Sequence, residues 1–257
     1  MRESLKEKWQ RSGLESGDLV LVHSNIQRTI IESRRMGLNI GPDEILESFL
    51  DAIGPRGTIL LPLFNFDFTK GVCFDIRNTP SQMGALTEAG RKYSGAVRTG
   101  HPVYSFCVIG YRSGIFELVD NRSAYGENSP FGILKNLEGK IASLDLEDQN
   151  SMTFYHHVEE VIGVDYRYHK PFTADYVGWD GVLKTKTYEI FVRDTEHGVK
   201  TNVNPTGELL WKAGIYKGFR PKTDTGLRVL RASEMFTYVE GIIRDGRALG
   251  NLFTLGE

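Results

Sequence analysis

The first half of the chain alternates between apolar runs typical of buried strands and periodic patterns typical of helices with one apolar face. Residues 3–12 have the pattern of a short amphipathic helix, and residues 18–22 that of a buried strand. A helix is expected from Pro42 to Gly54, because Pro and acidic residues stand at its start and Gly at its end. Residues 57–64 predict a second strand, and strand, helix, strand is the unit of a parallel sheet.

Polar segments follow these strands. Residues 23–29 form a polar loop after the first strand, and residues 65–81 form a long polar and aromatic segment without clear periodicity. Ligands of open α/β sheets bind at the carboxyl ends of strands, so the loop at residues 23–29 is either a ligand loop or an ordinary turn. Long loops inside compact domains are usually functional or mobile. Ser81 is expected to cap the helix that comes next.

The second half predicts strands at residues 103–110, 139–144 and 227–230, and an alternating, hairpin-like stretch at residues 182–193. Helices are expected after Ser129, around Leu210 and from Ser233. No internal repeat, low-complexity tract or linker interrupts the pattern. We therefore expect one α/β domain over residues 1–257, with a central, mostly parallel sheet flanked by helices and an antiparallel addition in the C-terminal part.

The helix predicted at residues 150–163 carries the strongest chemical signal. One stripe of it is apolar, while His156, Glu159 and Glu160 stand three and four residues apart on another face. A carboxylate orients an imidazole and stabilises its charged form, so this pair can accept and release a proton near neutral pH. Capping by Asn150 or Ser151 would leave His156 in the first turns, where the helix dipole favours the neutral, basic ring.

Composition narrows the classes of function. The chain has 31 Lys and Arg against 33 Asp and Glu, a formal charge of −2, which argues against a duplex-binding surface or an anionic membrane anchor. It contains no apolar run of membrane-spanning length, and residues 1–8 are charged rather than signal-like, so we expect a cytoplasmic protein. Cys73 and Cys107 have no partner at metal-finger spacing and are expected to be reduced thiols.

Six segments in order resemble the aminoglycoside 3-N-acetyltransferase family, acyl-coenzyme A enzymes with an α/β fold of their own. The resemblance covers residues 15–165 well and the rest more loosely. Its segments are residues 22–25, 54–62, 74–84, 98–105, 129–130 and 153–159. Family members often have Asn where this chain has Met152, so a contact made by that Asn is not expected here.

The resemblance implies acyl transfer from acetyl-coenzyme A, or a longer acyl-coenzyme A, to an amine of an amino sugar. It assigns His156 as the general base and Glu159 as its partner, with Glu160 as the fallback. Backbone N–H groups, or a hydroxyl of Thr79 or of the Ser24 loop, are candidates to stabilise the thioester oxygen. The residues expected to bind the coenzyme are His23, Ser24, Asn25, Ser81, Arg98, His101 and Ser105.

The acceptor amine is less clearly indicated. Acidic residues such as Asp67 and Asp75 suit a polycationic aminoglycoside antibiotic, and Glu127, Asp145, Glu147 and Asp148 could add to that charge. Against it, residues 166–170 mix aromatic and cationic side chains in a way that suits a base and a pyrophosphate. The residues concerned are Tyr166, Arg167, Tyr168 and Lys170. We favour a dTDP- or UDP-linked amino sugar used for surface polysaccharide, with the antibiotic as the alternative.

Other classes of function remain open alternatives. The chain could be a non-catalytic binding module of the same fold, or a hydrolase with Ser151 or Cys107 as nucleophile, although it has no Gly-x-Ser-x-Gly elbow. A zinc site at His156, His157 and Glu160 is disfavoured because adjacent helical residues point apart, and no metal is expected. The expected partners are small molecules, with no nucleic acid and no membrane, and a homo-oligomer is left open.

Overall fold

The computed structural model describes residues 4–256 and contains eight helices and twelve strands in that range. The helices are α1 Leu5–Arg11, α2 Gln27–Arg35, α3 Pro42–Ile53, α4 Ala85–Lys92, α5 Pro130–Asn136, α6 Phe154–Ile162, α7 Asn204–Lys212 and α8 Ala232–Arg244. The strands are β1 Leu19–Ser24, β2 Thr58–Pro62, β3 Phe74–Asp75, β4 Val97–Arg98, β5 Phe106–Gly110, β6 Lys140–Leu144, β7 Arg167–Val177, β8 Leu183–Arg193, β9 Val199–Thr201, β10 Lys217–Gly218, β11 Leu227–Arg231 and β12 Phe253–Leu255.

A seven-stranded mixed sheet forms the centre, in the order β10-β11-β6-β1-β2-β5-β4. Its three middle strands, β6, β1 and β2, are parallel. Strands β11 and β5 pair antiparallel with β6 and β2, and the edge strands β10 and β4 pair antiparallel with β11 and β5. All five residues of β2 and all five of β6 are buried, as expected for parallel strands covered on both faces. The predicted α/β class with a parallel core flanked by helices is confirmed.

Alternate residues of β1 face two separate layers of helices. Leu19 and Leu21 belong to the apolar cluster that includes residues of α5, α6 and α8. Val20 and Val22 belong to the cluster on the other face, with residues of α1, α3 and α4. This is the period-two pattern of a strand buried on both sides. None of the helices within residues 4–256 has the length and apolar character needed to cross a membrane.

The antiparallel addition is a long hairpin. Strands β7 and β8 pair over eleven residues each, from Arg167 opposite Arg193 to Val177 opposite Leu183. The short strand β3 joins β7 in parallel to complete a three-stranded sheet, and β9 pairs with β12 in a separate two-stranded sheet. Because only four residues separate the end of α6 from the start of β7, the hairpin lies beside the helix that carries His156.

Two local predictions near the first strands are wrong. The segment predicted as a loop through residue 29 instead enters α2 at Gln27, and this helix has no side-chain cap. It buries Thr29 and Ser33 rather than an apolar stripe, so periodicity gave no signal for it. Ser81 does not cap α4, which begins at Ala85 with Gly84 as its N-cap. The Ser81 hydroxyl instead accepts the Met83 N–H at 3.0 Å in the preceding turn.

The predicted caps of the helix that carries His156 are also displaced. Asn150 belongs to a 3-10 turn over Asp148–Asn150, and the N-cap of α6 is Thr153, without a side-chain hydrogen bond. The Asp148 carbonyl accepts the N–H groups of Ser151 and Met152, which keeps both residues out of the helix. His156 nevertheless lies in the first turn of α6, as the sequence predicts.

A buried ion pair anchors the segment that enters α6. The Asp148 carboxylate accepts hydrogen bonds from the Tyr155 hydroxyl at 2.7 Å, the Tyr216 hydroxyl at 2.8 Å and Nη2 of Arg228 at 2.8 Å. Arg228 lies on β11, so the cluster ties α6 to the antiparallel edge of the central sheet. A Cβ on Gly207 would lie 2.6 Å from the Asp148 carboxyl carbon, which is why α7 approaches so closely only with glycine there.

We predict that Asp148→Ala lowers the free energy of unfolding by about 3–5 kcal/mol, because it leaves the Arg228 charge buried without its partner. The exposed pair of Arg220 and Glu208 offers a matched control, since Glu208→Ala removes the same kind of contact in solvent and should cost about 0–1 kcal/mol. Urea unfolding of the two variants and the wild type measures both changes. Equal losses would show that the buried cluster contributes no special stability.

Candidate active site

Helix α6 brings His156 and Glu159 into contact. The two side chains are three residues apart on one helical face, and Nδ1 of His156 lies 2.8 Å from Oε2 of Glu159. Phe154 and Val158 are fully buried on the opposite face, and Gly163 ends the helix with a positive φ of 74°. The predicted pair is therefore held by a helix whose other face is fixed in the core.

The Glu159 carboxylate is almost completely buried, with its side chain 1% exposed, and it has three partners. Besides His156, Nε of Arg167 lies 2.8 Å from Oε2, and the Tyr166 hydroxyl donates to Oε1 at 3.1 Å. Both of these partners come from the start of the β7–β8 hairpin. The Arg167 guanidinium thus places a positive charge against the buried carboxylate.

His156 is held in the form a base requires. Burial and the nearby Arg167 charge lower its pKa, while the hydrogen bond and charge of Glu159 act in the opposite direction. The ring is therefore neutral at pH 7. Because a carboxylate only accepts, Nδ1 carries the proton and Nε2 has the free lone pair. The side chain is 20% exposed, so solvent and ligands can reach the ring.

A cavity of about 320 Å³ opens beside His156. Three cations line it, Arg167, Lys170 and Arg193, and none of the described lining residues is Asp or Glu. The remaining wall is aromatic, apolar and hydroxyl-bearing: Tyr104, Tyr125, Tyr168, Phe172, Ile190, Phe191, Val192, Thr195 and Thr201. Such a cavity can hold a proton acceptor next to an anionic ligand.

The structure brings three of the aromatic and cationic residues predicted at positions 166–170 to the cavity. It also adds residues that the sequence did not indicate. Arg167, Tyr168 and Lys170 line the cavity, whereas Tyr166 does not, because its hydroxyl donates to the buried Glu159 carboxylate instead. Arg193 was not predicted, although pairing the alternating stretch at residues 182–193 with residues 167–177 would have placed it opposite Arg167. Tyr104 and Tyr125 come from loops, where no periodicity could have indicated them.

Arg98, Ser105 and Thr79 lie together, but in a loop scaffold away from the cavity that His156 lines. Nη1 of Arg98 donates to the carbonyls of Ile76 at 3.1 Å and Thr79 at 2.6 Å, and Nε and Nη2 each donate to the Ser105 hydroxyl at 3.2 Å. Burial lowers the pKa of Arg98 to about 10, so it stays charged at pH 7. The Thr79 hydroxyl accepts the Asp75 N–H at 2.8 Å.

His23 and His101 are also buried, on β1 and in the loop before β5. Nδ1 of His101 accepts the backbone N–H groups of Val103 at 3.3 Å and Tyr104 at 3.1 Å. Burial lowers the pKa of His101 to about 4 and that of His23 to about 3. Both rings are therefore neutral and hold neighbouring backbone or fill the core. Ser24 is partly exposed and Asn25 exposed at the carboxyl end of β1.

The acidic residues proposed for the acceptor do not line the cavity beside His156. Asp67 pairs with Lys70 at 2.9 Å and accepts from Gln82 at 3.0 Å. Asp75 pairs with Arg77 at 2.9 Å, and the hydrogen bond to that guanidinium holds the pKa of Asp75 well below its usual range. Each carboxylate thus neutralises a neighbouring cation instead of offering free charge to a ligand.

A larger cavity, of about 570 Å³, lies at the carboxyl ends of β1 and β6. Asn25, Asn150 and Asn204 contribute amides to it, and Lys222 a cation. Its other lining residues are Asp145, Leu146, Glu147, Asp148, Gly207, Glu208, Trp211, Arg220, Pro221 and Arg228. The carboxylates of Asp145, Asp148 and Glu208 are paired with Arg28, Arg228 and Arg220 in turn.

The alternative nucleophiles, Ser151 and Cys107, do not line the cavity beside His156, and neither does His157. Burial raises the pKa of Cys107 to about 12, and the buried Ser151 hydroxyl donates to the Glu147 carbonyl at 2.8 Å. His157 is buried on the far side of the helix from His156, with Nδ1 2.6 Å from the Tyr125 carbonyl. Residues 4–256 contain no group of three His, Cys, Asp or Glu side chains placed to hold a metal ion.

Comparison with known proteins identifies the family. The model of the family described as aminoglycoside 3-N-acetyltransferase matches residues 21–241. Since this match spans most of the chain, the protein belongs to the aminoglycoside 3-N-acetyltransferase family, as the six segments indicated. The solved structure of AAC-IIIb in a binary complex with CoASH has the same fold, with a TM-score of 0.79 over 95% of this chain and 96% of that one at 20% identity.

Two curated relatives match at lower coverage. The SPbeta prophage-derived aminoglycoside N(3')-acetyltransferase-like protein YokD of Bacillus subtilis (strain 168) is 25% identical over 177 residues, 60% of this chain. Aminoglycoside N(3)-acetyltransferase IX of Micromonospora chalcea is 25% identical over 185 residues, 63% of this chain. The match spans 63% of the length of each relative.

We predict that the protein loses stability as the pH falls from 7 to 5, because His23, His101 and His157 are buried in their neutral form. Their pKa values in the folded chain are about 3, about 4 and about 4, against 6.5 for an ordinary His. Below pH 6.5 the unfolded chain therefore binds protons that the folded chain excludes, which costs about 2 kcal/mol per residue at pH 5.

Urea unfolding at pH 7, 6 and 5 measures this loss. His157→Gln serves as the comparison, because Gln can still donate to the Tyr125 carbonyl but does not titrate. Its loss of stability between pH 7 and 5 should be smaller than that of the wild type by about 2 kcal/mol. The same pH dependence in both proteins would contradict the prediction.

Proposed function

We propose that the protein is an N-acyltransferase that moves an acyl group from acyl-coenzyme A to the amine of an amino sugar, with His156 as general base. The observation that carries this proposal is the His156–Glu159 pair at 2.8 Å, with a free Nε2 at the edge of a ligand-sized cavity. The family and the acetyltransferase names of its relatives support the same class of reaction.

The chemistry needs a base because an ammonium has no lone pair to attack a thioester. In this proposal Nε2 of His156 takes a proton from the amine as the nitrogen attacks the acyl carbon, and a positioned base of this kind contributes about 10²- to 10⁴-fold. Glu159 orients the ring and stabilises the imidazolium that forms. Transfer is direct from donor to acceptor, in a ternary complex without a covalent enzyme intermediate.

We place the coenzyme at the carboxyl end of β1, beside Ser24 and Asn25. Of the seven residues expected to bind it, Asn25 is exposed and Ser24 and Ser81 are partly exposed, and the cavity of about 570 Å³ next to Asn25 adds two further amides and the Lys222 cation. Amides, hydroxyls and cations suit the pantetheine arm and phosphates of coenzyme A. His101, Arg98 and Ser105 are buried, and their hydrogen bonds hold the segments around residues 76–79 and 101–105 instead.

The acceptor is, we propose, a nucleotide-linked amino sugar such as a dTDP- or UDP-linked one. Arg167, Lys170 and Arg193 make the cavity beside the base cationic, which attracts a pyrophosphate. Tyr168 is 43% exposed on the same wall, where a nucleobase could stack. An aminoglycoside antibiotic is the alternative acceptor, favoured by the names of the relatives, but its several positive charges would meet like charges here.

A thiol-release assay with acetyl-coenzyme A tests the reaction, using panels of nucleotide-linked amino sugars and of aminoglycosides. We expect His156→Gln to lower kcat at least about 100-fold, because it removes the base, while acyl-coenzyme A still binds. His197→Gln changes an exposed His of the same type and should keep wild-type activity. In the wild type, kcat/KM should fall on the acid side with a midpoint below pH 6.5, since burial lowers the pKa of His156.

Each negative result of this assay has a different meaning. Release that no amine in either panel stimulates, with acetyl or longer acyl donors, would refute the acyltransferase proposal. A non-catalytic binding module would be favoured if His156→Ala left the cellular function of the protein intact. A burst of acyl-enzyme would instead support a hydrolase with a covalent intermediate.

Removing one cation from the cavity separates the two acceptor classes. We predict that Arg193→Ser raises KM for a nucleotide-linked amino sugar about tenfold, since a charge-assisted hydrogen bond is worth about 1.5–3 kcal/mol. The same variant should lower KM for a polycationic aminoglycoside, because it removes repulsion. Lys184→Ser, at the far end of the same hairpin, is the control for overall charge. A lower KM for the nucleotide-linked sugar in Arg193→Ser would contradict the prediction.

A further inference from the structure

Two tyrosine side chains stand next to the base in the cavity. The ring of Tyr125 lies 5.3 Å from that of His156, centre to centre, and the ring of Tyr104 lies 4.8 Å from that of Tyr125. All three residues line the cavity of about 320 Å³. The phenol groups are therefore within the volume where the acyl group must meet the amine.

Tyr104 is held in place from three sides. Its ring packs edge-on against Phe64 at 4.7 Å and Phe66 at 5.8 Å, and its backbone N–H donates to Nδ1 of His101 at 3.1 Å. The buried His101 thus positions the residue that follows it by three in the chain. A side chain fixed in this way can present its hydroxyl without the entropy cost of ordering it during the reaction.

Both phenols are neutral donors at pH 7. Burial raises the pKa of Tyr104 and raises that of Tyr125 well above its ordinary value. The two rings pack edge to face, 4.8 Å apart, and the nearby positive charge of Arg167 acts on both pKa values in the opposite direction to burial. Each phenol has one proton, so when Tyr125 donates to Tyr104 the proton of Tyr104 is free to point into the cavity.

We propose that the Tyr104 hydroxyl donates a hydrogen bond to the thioester oxygen as it becomes anionic, and that Tyr125 supports it by donating to Tyr104. This assignment rests on the proposed acyltransferase function. A hydrogen bond aimed at the developing charge in a cavity with little water is among the largest single contributions to acyl transfer. The Arg167 guanidinium adds positive charge nearby while remaining paired with Glu159.

Acyl transfer proceeds through one tetrahedral intermediate. The amine nitrogen forms a bond to the acyl carbon, the carbonyl electron pair moves to oxygen, and His156 takes the proton from nitrogen. Tyr104 holds the resulting oxyanion without transferring its own proton. The oxygen pair then restores the carbonyl, the bond to sulfur breaks, and the leaving thiolate receives the proton from the imidazolium. The products are the amide and free coenzyme A, with His156 neutral again.

Tyr104 is better placed to stabilise the oxyanion than the two hydroxyl groups that the sequence suggested. The Thr79 hydroxyl lies in the turn with Asp75 and is not part of the cavity that His156 lines. Ser24 stands at the end of β1, outside the same cavity. Among the described residues that line the cavity, Tyr125 packs against the His156 ring and Tyr104 packs against Tyr125. Both of these residues carry a neutral hydroxyl donor.

The test uses Tyr104→Phe, which keeps the ring packing and removes only the hydroxyl. With the acceptor that the wild type acetylates fastest, we expect kcat to fall about 10²-fold, with both KM values little changed, because the bond exists mainly in the transition state. Tyr125→Phe should lower kcat less, by about tenfold, since it acts through Tyr104. Tyr111→Phe, an exposed tyrosine outside the site, should match the wild type.

Wild-type kcat in Tyr104→Phe overturns the assignment of Tyr104 while leaving the proposed function intact. A larger loss in Tyr125→Phe than in Tyr104→Phe also overturns it, because Tyr125 would then be the direct donor. Failure of the wild type itself to acetylate any amine counts against the proposed function and against this assignment with it. Thermal unfolding of each variant confirms that the fold is retained.

Discussion

The buried carboxylate of Glu159 is the point at which the two parts of the site are joined. An unpaired carboxylate at this depth would cost several kcal/mol, so the chain must supply compensation wherever Glu159 is placed. That compensation comes from Arg167 and Tyr166 at the start of β7, while His156 completes the set from the same helix. The position of the hairpin relative to α6 therefore follows from one charge that has to be neutralised.

The polar residues of the family segments divide into two kinds. His156 is accessible and has a free ring nitrogen, as a group that handles protons must. Arg98, His101 and Ser105 are buried and use their hydrogen bonds on backbone carbonyls, amides and one another. The second kind shapes the loops from which the cavity is built, and the link from His101 to the Tyr104 backbone is the clearest instance.

The sequence could predict contacts within one helix or strand, but not contacts between segments that are far apart in the chain. The contact of His156 with Glu159 needs only helical spacing, and the buried runs of β1, β2 and β6 need only their own composition. The pairing of Arg167 with Glu159 joins a strand to a helix, and Tyr125 and Arg193 approach His156 from segments more than 30 residues away. Spacing within one segment contains no information about such contacts.

The type of a polar residue also did not show whether its side chain would be buried or exposed to a ligand. Arg98 and His101 suit a phosphate ligand as well as an internal hydrogen-bond network, and only the packing around them distinguishes the two. Helix α2 was not predicted for a related reason, because its buried residues, Thr29 and Ser33, are small and polar. Gly84 rather than Ser81 starts α4, since the Ser81 hydroxyl is already used by the Met83 N–H.

The division between helix and hairpin has an evolutionary consequence. The proposed base and its carboxylate partner are on α6, whereas Tyr168, Lys170 and Arg193 project from exposed positions of the hairpin and contribute little to the core. Substitutions at those strand positions therefore change the free energy of unfolding little and leave the His156–Glu159 pair unaltered. If the hairpin residues bind the acceptor as proposed, a lineage with this architecture can exchange one amine acceptor for another through a few surface mutations, while its reaction chemistry stays constant.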